Sequence, residues 1–236
     1  MQNLFTPFNI QLSSEQEKCF TQFLELFIET NSQINLSAIR EPEAIKFKHF
    51  LDSVLPVTFL NEVNGTPRLL DIGAGGGFPC IPLCIIRPDW SIEALDSVGK
   101  KMKVVQLMAD QLGISLKTHH GRIEDFGQNG KFRSQFDIVT ARALAPWAVL
   151  LEYALPFVKV GGKFIAYQGP SIYEDLSAMA GLEERLGGEL TNTYDMQYEF
   201  EGEIIERVFV EITKMTHTKN KYPRMNGVPR QEPLKV

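Results

Sequence analysis

The apolar positions of this chain change period near residue 68. Before it they recur at helical spacing. Phe20, Phe23, Leu24, Phe27 and Ile28 lie three and four apart behind Ser14-Glu15-Gln16-Glu17, a capping-box signature, and predict a helix with one apolar stripe. Pro42-Glu43 opens a second helix carrying Ile45, Phe47, Phe50 and Leu51. The aromatic stripe reads as core, and residues 1–60 as a helical extension packed on a main domain.

From Arg68 short apolar runs alternate with helical patterns. Strands are predicted at about 68–72, 92–96, 115–119, 136–140 and 163–168. The intervening helices run from Phe78 to Ile86, from a Ser97 cap to Leu112, onward from near Pro146, and over about 172–186. Such alternation implies a parallel, doubly wound α/β sheet. The end breaks the rule: 190–200 and 205–213 both read as strands around a Glu201-Gly202-Glu203 turn, hence an antiparallel hairpin. A mostly parallel, Rossmann-like sheet of seven strands ending in such a hairpin is the class I methyltransferase arrangement, expected over residues 61–214. Residues 215–236 form a tail.

Composition narrows the class. At 236 residues there is room for one large α/β domain with an extension. The net charge of −5 argues against a general nucleic-acid coat but leaves room for a local basic patch. No apolar run reaches the roughly 18 residues of a membrane span, and Met1-Gln2-Asn3-Leu4-Phe5 lacks the marks of a secretory leader. A cytoplasmic monomer that does not engage membranes is the expectation. The three cysteines suit a reducing compartment; Cys80 and Cys84 share a helix face without further ligands nearby, so they read as packing and no metal site is expected.

The chemistry centres on Leu69-Leu70-Asp71-Ile72-Gly73-Ala74-Gly75-Gly76-Gly77-Phe78-Pro79. A strand ending in an acid and then in four glycines brings a backbone close to a nucleotide-like ligand. A pyrophosphate prefers bare amides with no carboxylate beside them. S-adenosylmethionine carries a sulfonium and an ammonium, so Asp71 beside Gly73, Gly75 and Gly77 favours that cofactor. Asp71 can equally tie down the loop by accepting backbone N–H bonds, and both roles can coexist. Asp96 ends the second strand about twenty residues on; it can bond ribose hydroxyls or cap the next helix.

Other candidates follow from position. Gly121-Arg122-Ile123-Glu124 borders the adenine side of such a sheet, though Glu124 can equally be a surface acid. Arg142, at the carboxyl end of the fourth strand, can clamp a phosphate, stack on a base, or pair with Asp71 or Asp96. His49 and Asp52, three apart on one helix, can close over the cofactor or the substrate, or form a packing pair. His119 and His120 read as structural or solvent-exposed. Lys214, Lys219, Lys221, Arg224, Arg230 and Lys235 face one late acid, Glu232, and Lys100, Lys101 and Lys103 form a second cluster. Both suit an RNA backbone or are solvated faces.

These stretches together resemble the glucose-inhibited division protein B family, methyltransferases of a guanine N7 in small-subunit (16S) ribosomal RNA. The resemblance rests on Asn35-Leu36-Ser37-Ala38-Ile39-Arg40, Lys48-His49-Phe50-Leu51-Asp52-Ser53, Asp71 through Pro82, and Leu95-Asp96-Ser97 with Gly99-Lys100-Lys101. It continues through Arg122-Ile123-Glu124, Ala141-Arg142-Ala143 and the tail Lys221-Tyr222-Pro223-Arg224 with Gly227, Pro229 and Pro233-Leu234. Cys80 stands where glycine is common and Ser37 where threonine is usual. The resemblance implies cofactor contacts at Gly73, Phe78, Ile123, Glu124 and Arg142, ribosomal RNA or the small subunit as substrate, and direct attack by N7 without a general base. A nicotinamide-linked oxidoreductase and a non-catalytic RNA-binding module are the alternatives.

Overall fold

The computed structural model describes residues 1–60 and 65–236. Its strands are β1 (Arg68–Ile72), β2 (Ser91–Asp96), β3 (Leu116–His120), β4 (Phe136–Arg142), β5 (Val158–Gln168), β6 (Gly188–Phe200) and β7 (Glu203–Lys214). They form one seven-stranded sheet in the order β3-β2-β1-β4-β5-β7-β6. β1 pairs parallel with β4, β4 with β5, and β2 with β3; β7 is antiparallel to both β5 and β6. The α/β sheet with its terminal hairpin is as expected, and β7 inserts between β5 and β6.

The chain divides into two compact units, residues 1–67 with 74–120, and residues 68–73 with 121–236. The expected start of the main domain at 61 lies outside the described residues, whereas the tail from 215 belongs to the second unit.

The first unit is built on aromatic side chains. The helix Ser14–Gln33 buries Phe20, Phe23 and Phe27 along one stripe. Phe23 stacks on Phe50 at 5.0 Å, and Phe27 meets Phe78 edge-on at 5.0 Å. Such pairs add to the apolar burial itself. Helix Ser14–Gln33 therefore shares its core with Phe78 of the glycine loop.

The second unit packs the helix Trp147–Ala154 on β4 and buries Trp147, Tyr153, Phe157, Phe164 and Phe209. Gly162 takes β5 past Asp137 with no room for a side chain: a Cβ there would lie 2.8 Å from the Asp137 carbonyl oxygen.

Several local expectations are corrected. The capping box is Ser13 with Gln16, one residue upstream of the predicted pair, because Ser13 holds the extended backbone that capping needs. The second helix is not continuous: Pro42–Ile45 runs into a wide π-turn over Lys46–Leu51, then Asp52–Val54 and a 3-10 turn at Leu55–Thr58, where Pro56 cannot continue an α-helical bond ladder. Val98 precedes the helix Gly99–Leu112, and Asp96 rather than Ser97 bonds the entering backbone. The helix after the glycines starts at Cys80, and the segment after β5 splits into Ile172–Ala178 and Leu182–Arg185 around left-handed Gly181.

Candidate active site

In the first unit the glycine turn is held by β2. Ala74 N–H donates to the Leu95 carbonyl at 3.3 Å and Gly75 N–H to Asp96 Oδ2 at 3.0 Å. Asp96 Oδ1 accepts from Val98 N–H at 2.8 Å. The capping reading is thus realised. A carboxylate offers about four lone-pair sites, so capacity for ribose hydroxyls remains and the two roles are compatible. Gly75 and Gly77 have φ of 55° and 95°, and a Cβ on Gly77 would fall 2.7 Å from Ile81 Cδ1. Glycine takes this left-handed backbone at no steric cost.

The Phe78 side chain turns into the aromatic core. It stacks on the His49 ring at 4.5 Å with an interplanar angle of 20°. His49 Nε2 lies 2.7 Å from Ser37 Oγ and Nδ1 lies 3.1 Å from the Lys48 carbonyl. His49 and Asp52 are 7% and 3% exposed. Both are buried, and His49 braces the loop through Phe78. Lys100 is exposed and Lys101 half-buried in the first turn of Gly99–Leu112. Cations at that end oppose the helix dipole, which suits a nearby anionic partner better than it suits the helix.

In the second unit Asp71 is fully buried, and Thr140 Oγ1 donates to its Oδ1 at 3.1 Å from the paired position on β4. Gly73 has φ of 72°, and a Cβ there would lie 2.5 Å from Leu144 Cδ1. Arg142, half-buried, ends β4 opposite Tyr167 of β5. Ala143 follows with φ of 50°, a left-handed position uncommon for a side chain other than glycine's.

Ile123 and Glu124 open the short helix Ile123–Gln128. The Glu124 carboxylate is buried, which corrects the surface reading, and Oε1 takes Arg122 Nη2 at 3.0 Å, Tyr153 Oη at 3.2 Å and Gly227 N–H at 3.0 Å. Burial pushes its pKa up, but the Gly227 and Glu124 N–H groups and the Arg122 guanidinium outweigh that and hold it below the usual value. Burial, with Glu124 adjacent, pushes the Tyr153 phenol up.

The tail is a strap stitched to the body, which corrects the reading of it as a solvated basic arm. Arg224 donates its N–H, Nε and Nη2 to Glu152, with Nη2 to Oε2 at 2.7 Å, and Glu152 is fully buried. That engagement ties the Arg224 guanidinium to the body while leaving it 23% exposed. Arg133 donates to the carbonyls of Gly127, Thr218, Lys219 and Tyr222. Arg230 holds the Leu144 carbonyl at 2.8 Å. Gly127 leaves room for the strap, since a Cβ there would meet Pro223 Cγ at 2.7 Å. Lys214 is buried and donates to the Leu155 and Leu186 carbonyls and to Thr218 Oγ1; burial, and then Arg133, lower its pKa to about 7. Lys221 stays exposed.

Sequence reasoning missed Glu152, Tyr153 and Arg133. Glu152 had a signal, a lone acid in the apolar run Trp147–Ala154. Arg133 had none, because its partners are backbone carbonyls. Among the described residues no group of three or more His, Cys, Asp and Glu side chains gathers as for a metal ion, and no helix is long and apolar enough to cross a membrane.

A family model described as "rRNA small subunit methyltransferase G" (GidB) matches residues 16–199. The chain belongs to this family. It is an adenosylmethionine-dependent methyltransferase family, and the buried Asp71 ahead of a glycine turn is the feature in which the chain's own chemistry agrees with that membership. A ribosomal RNA small subunit methyltransferase G from Lactobacillus delbrueckii subsp. bulgaricus is 40% identical over 97% of this chain and 96% of its own length. The one from Streptococcus pneumoniae (strain ATCC BAA-255 / R6) is 38% identical over 98% and 97%. The solved structure of a mutant 16S rRNA (adenine(1408)-N(1))-methyltransferase from Catenulisporales acidiphilia aligns with a TM-score of 0.52 at 15% identity, over 69% of this chain and 94% of that one. That likeness speaks for the fold alone.

The residues present fit adenosylmethionine. Each unit carries an acid at a strand end next to a glycine in the left-handed region, Asp71 with Gly73 and Asp96 with Gly75. Asp96 suits ribose hydroxyls, and Asp71 beside the turn suits a cationic donor, whereas a dinucleotide pyrophosphate would be repelled by it.

Proposed function

We propose that this protein transfers the methyl group of S-adenosylmethionine to N7 of a guanine in 16S ribosomal RNA, as a cytoplasmic monomer that does not engage membranes. The observation that carries the reading is the fully buried Asp71 directly ahead of the Gly73–Gly77 turn, in a chain of this family. Asp71, Gly73, Gly75, Gly77 and Asp96 would hold the cofactor, with the backbone at Phe78, Ile123 and Glu124 lining it. Bound there, it supplies an electrophilic methyl group on a sulfonium.

Guanine N7 carries a free lone pair at neutral pH, so no proton leaves before transfer and no side chain is needed as a base. The protein's part is positioning and exclusion of water. Arg142 is the candidate for orienting the base, which must come from an unstacked or single-stranded stretch. The exposed Lys100 and Lys221, with the half-buried Lys101, are the candidates for phosphate contacts.

The test is to incubate the purified protein with tritiated adenosylmethionine and, separately, naked 16S RNA and small subunits from cells lacking the gene. Label recovered as 7-methylguanosine in either substrate supports the reading. Saturable NAD binding with no adenosylmethionine binding would overturn it.

A further inference from the structure

The second unit contains an open groove of about 750 Å³ between Glu124–Gln128 and Asn220–Asn226. Its size falls within the roughly 300–1,000 Å³ of small-molecule sites. The strap wall is fixed: Gln128 Nε2 donates to the Asn220 and Pro223 carbonyls at 3.0 and 2.8 Å, Arg224 is tied to Glu152, and Gly227 N–H to Glu124. These bonds also neutralise the groove's buried charges, since Glu124 is paired with Arg122 and Arg224 with Glu152.

Besides the amide of Asn220, exposed side chains of three different chemistries lie along it. Met225, 81% exposed, is an apolar and polarizable surface. The exposed Asp125 carboxylate is aimed by one bond, Asn226 Nδ2 to Oδ2 at 3.1 Å. Lys221 is an exposed cation next to Tyr222, with Nζ 5.1 Å from the ring centroid. An apolar plate, a carboxylate acceptor and a cation are what a base, a donor edge and a phosphate require.

We propose that this groove binds one nucleotide of the substrate RNA away from the methyl acceptor, with its base on Met225, its Watson–Crick edge on Asp125 and its phosphate at Lys221. The proposal rests on the reading of the protein as an RNA methyltransferase. Guanine is the base that fits: its N1–H and N2 amino group lie side by side and can both donate to one carboxylate, whereas uracil and adenine lack such a pair. Single-stranded RNA presents that edge, and the apolar Met225 thioether has no donor or acceptor pattern that favours one base over another, leaving Asp125 to discriminate.

The test uses the full chain and initial rates of tritium transfer to 16S RNA. Asp125→Asn, Lys221→Ala and Met225→Ala are each expected to raise the KM for RNA roughly three- to tenfold, while the KM for adenosylmethionine and the melting temperature hold. In wild type, 5′-GMP should inhibit at lower concentration than 5′-IMP, which lacks the N2 amino group, or 5′-UMP. That ranking should vanish in Asp125→Asn. A folded triple variant with unchanged KM for RNA, or a GMP preference that survives Asp125→Asn, overturns the groove. Wild-type protein that labels neither naked 16S RNA nor small subunits overturns the methyltransferase reading and the groove with it.

Discussion

Arg224→Ala should destabilise the protein far more than a surface arginine would. The change removes three of the four bonds that Arg224 makes to Glu152, leaving the backbone N–H as the remaining one. Glu152 is 0% exposed and Arg224 23%. Breaking a buried pair from one side costs about 3–5 kcal/mol, and partial exposure of the arginine puts the expected loss near the lower end, about 3 kcal/mol. At about 2–4 °C per kcal/mol for a chain of this size, the melting temperature should fall by about 6–12 °C. Glu152→Gln keeps an acceptor for the backbone N–H and frees a guanidinium that already reaches solvent, so it should cost about 1 kcal/mol. The double variant should melt above Arg224→Ala alone, because it no longer buries an uncompensated charge. Thermal scans of the four proteins at pH 7, one scan rate and one concentration decide it. Arg224→Ala within about 2 °C of wild type, or a double variant below Arg224→Ala, would refute the strap argument.

Asp71→Asn retains an acceptor for Thr140 but loses its charge, and should weaken adenosylmethionine binding about 10- to 100-fold with the fold intact; calorimetric titration showing wild-type affinity would remove Asp71 from the site. Gly73→Ala combines a left-handed backbone with a methyl carbon 2.5 Å from Leu144, and should cost about 1–2 kcal/mol and weaken the cofactor in the same titration. Lys214 has its pKa lowered to about 7, so above that pH the unfolded chain holds a proton that the folded chain has released. Its burial therefore penalises the fold in full below pH 7, and stability should recover between about pH 7 and 10.5, by at most about 1.4 kcal/mol per pH unit. Denaturant titrations of wild type against Lys214→Met should show that slope only in wild type; parallel profiles would count against it.

The parts of the fold written in local pattern were legible. Alternating strands and helices, the closing hairpin and the Phe20–Phe23–Phe27 stripe all follow from periodicity, and the glycine turn with its two acids follows from spacing. What escaped was chemistry decided by distant partners. A basic tail looks solvated until Glu152, 72 residues earlier, is found at 2.7 Å. His49 looks like half of a polar pair facing a ligand until its ring is found stacked on Phe78 at 4.5 Å. Ser14 looks like the cap because Ser13 and Ser14 differ only in backbone conformation, which one residue of sequence does not encode. The position of β7 between β5 and β6 is likewise a matter of which edge the hairpin joins, and both orders share one pattern.

The bond between Glu124 and Gly227 also orders events in time. Their separation is 103 residues, which a ribosome making about 5–20 residues per second covers in roughly 5–20 s. Through that interval Glu124, and for most of it Glu152, exists in the nascent chain without its strap partner, and burying either carboxylate then would be costly. Full closure of the second unit waits for Arg224 and Gly227 to be made. A nascent chain that stalls before Arg224 would therefore keep these two acids in water.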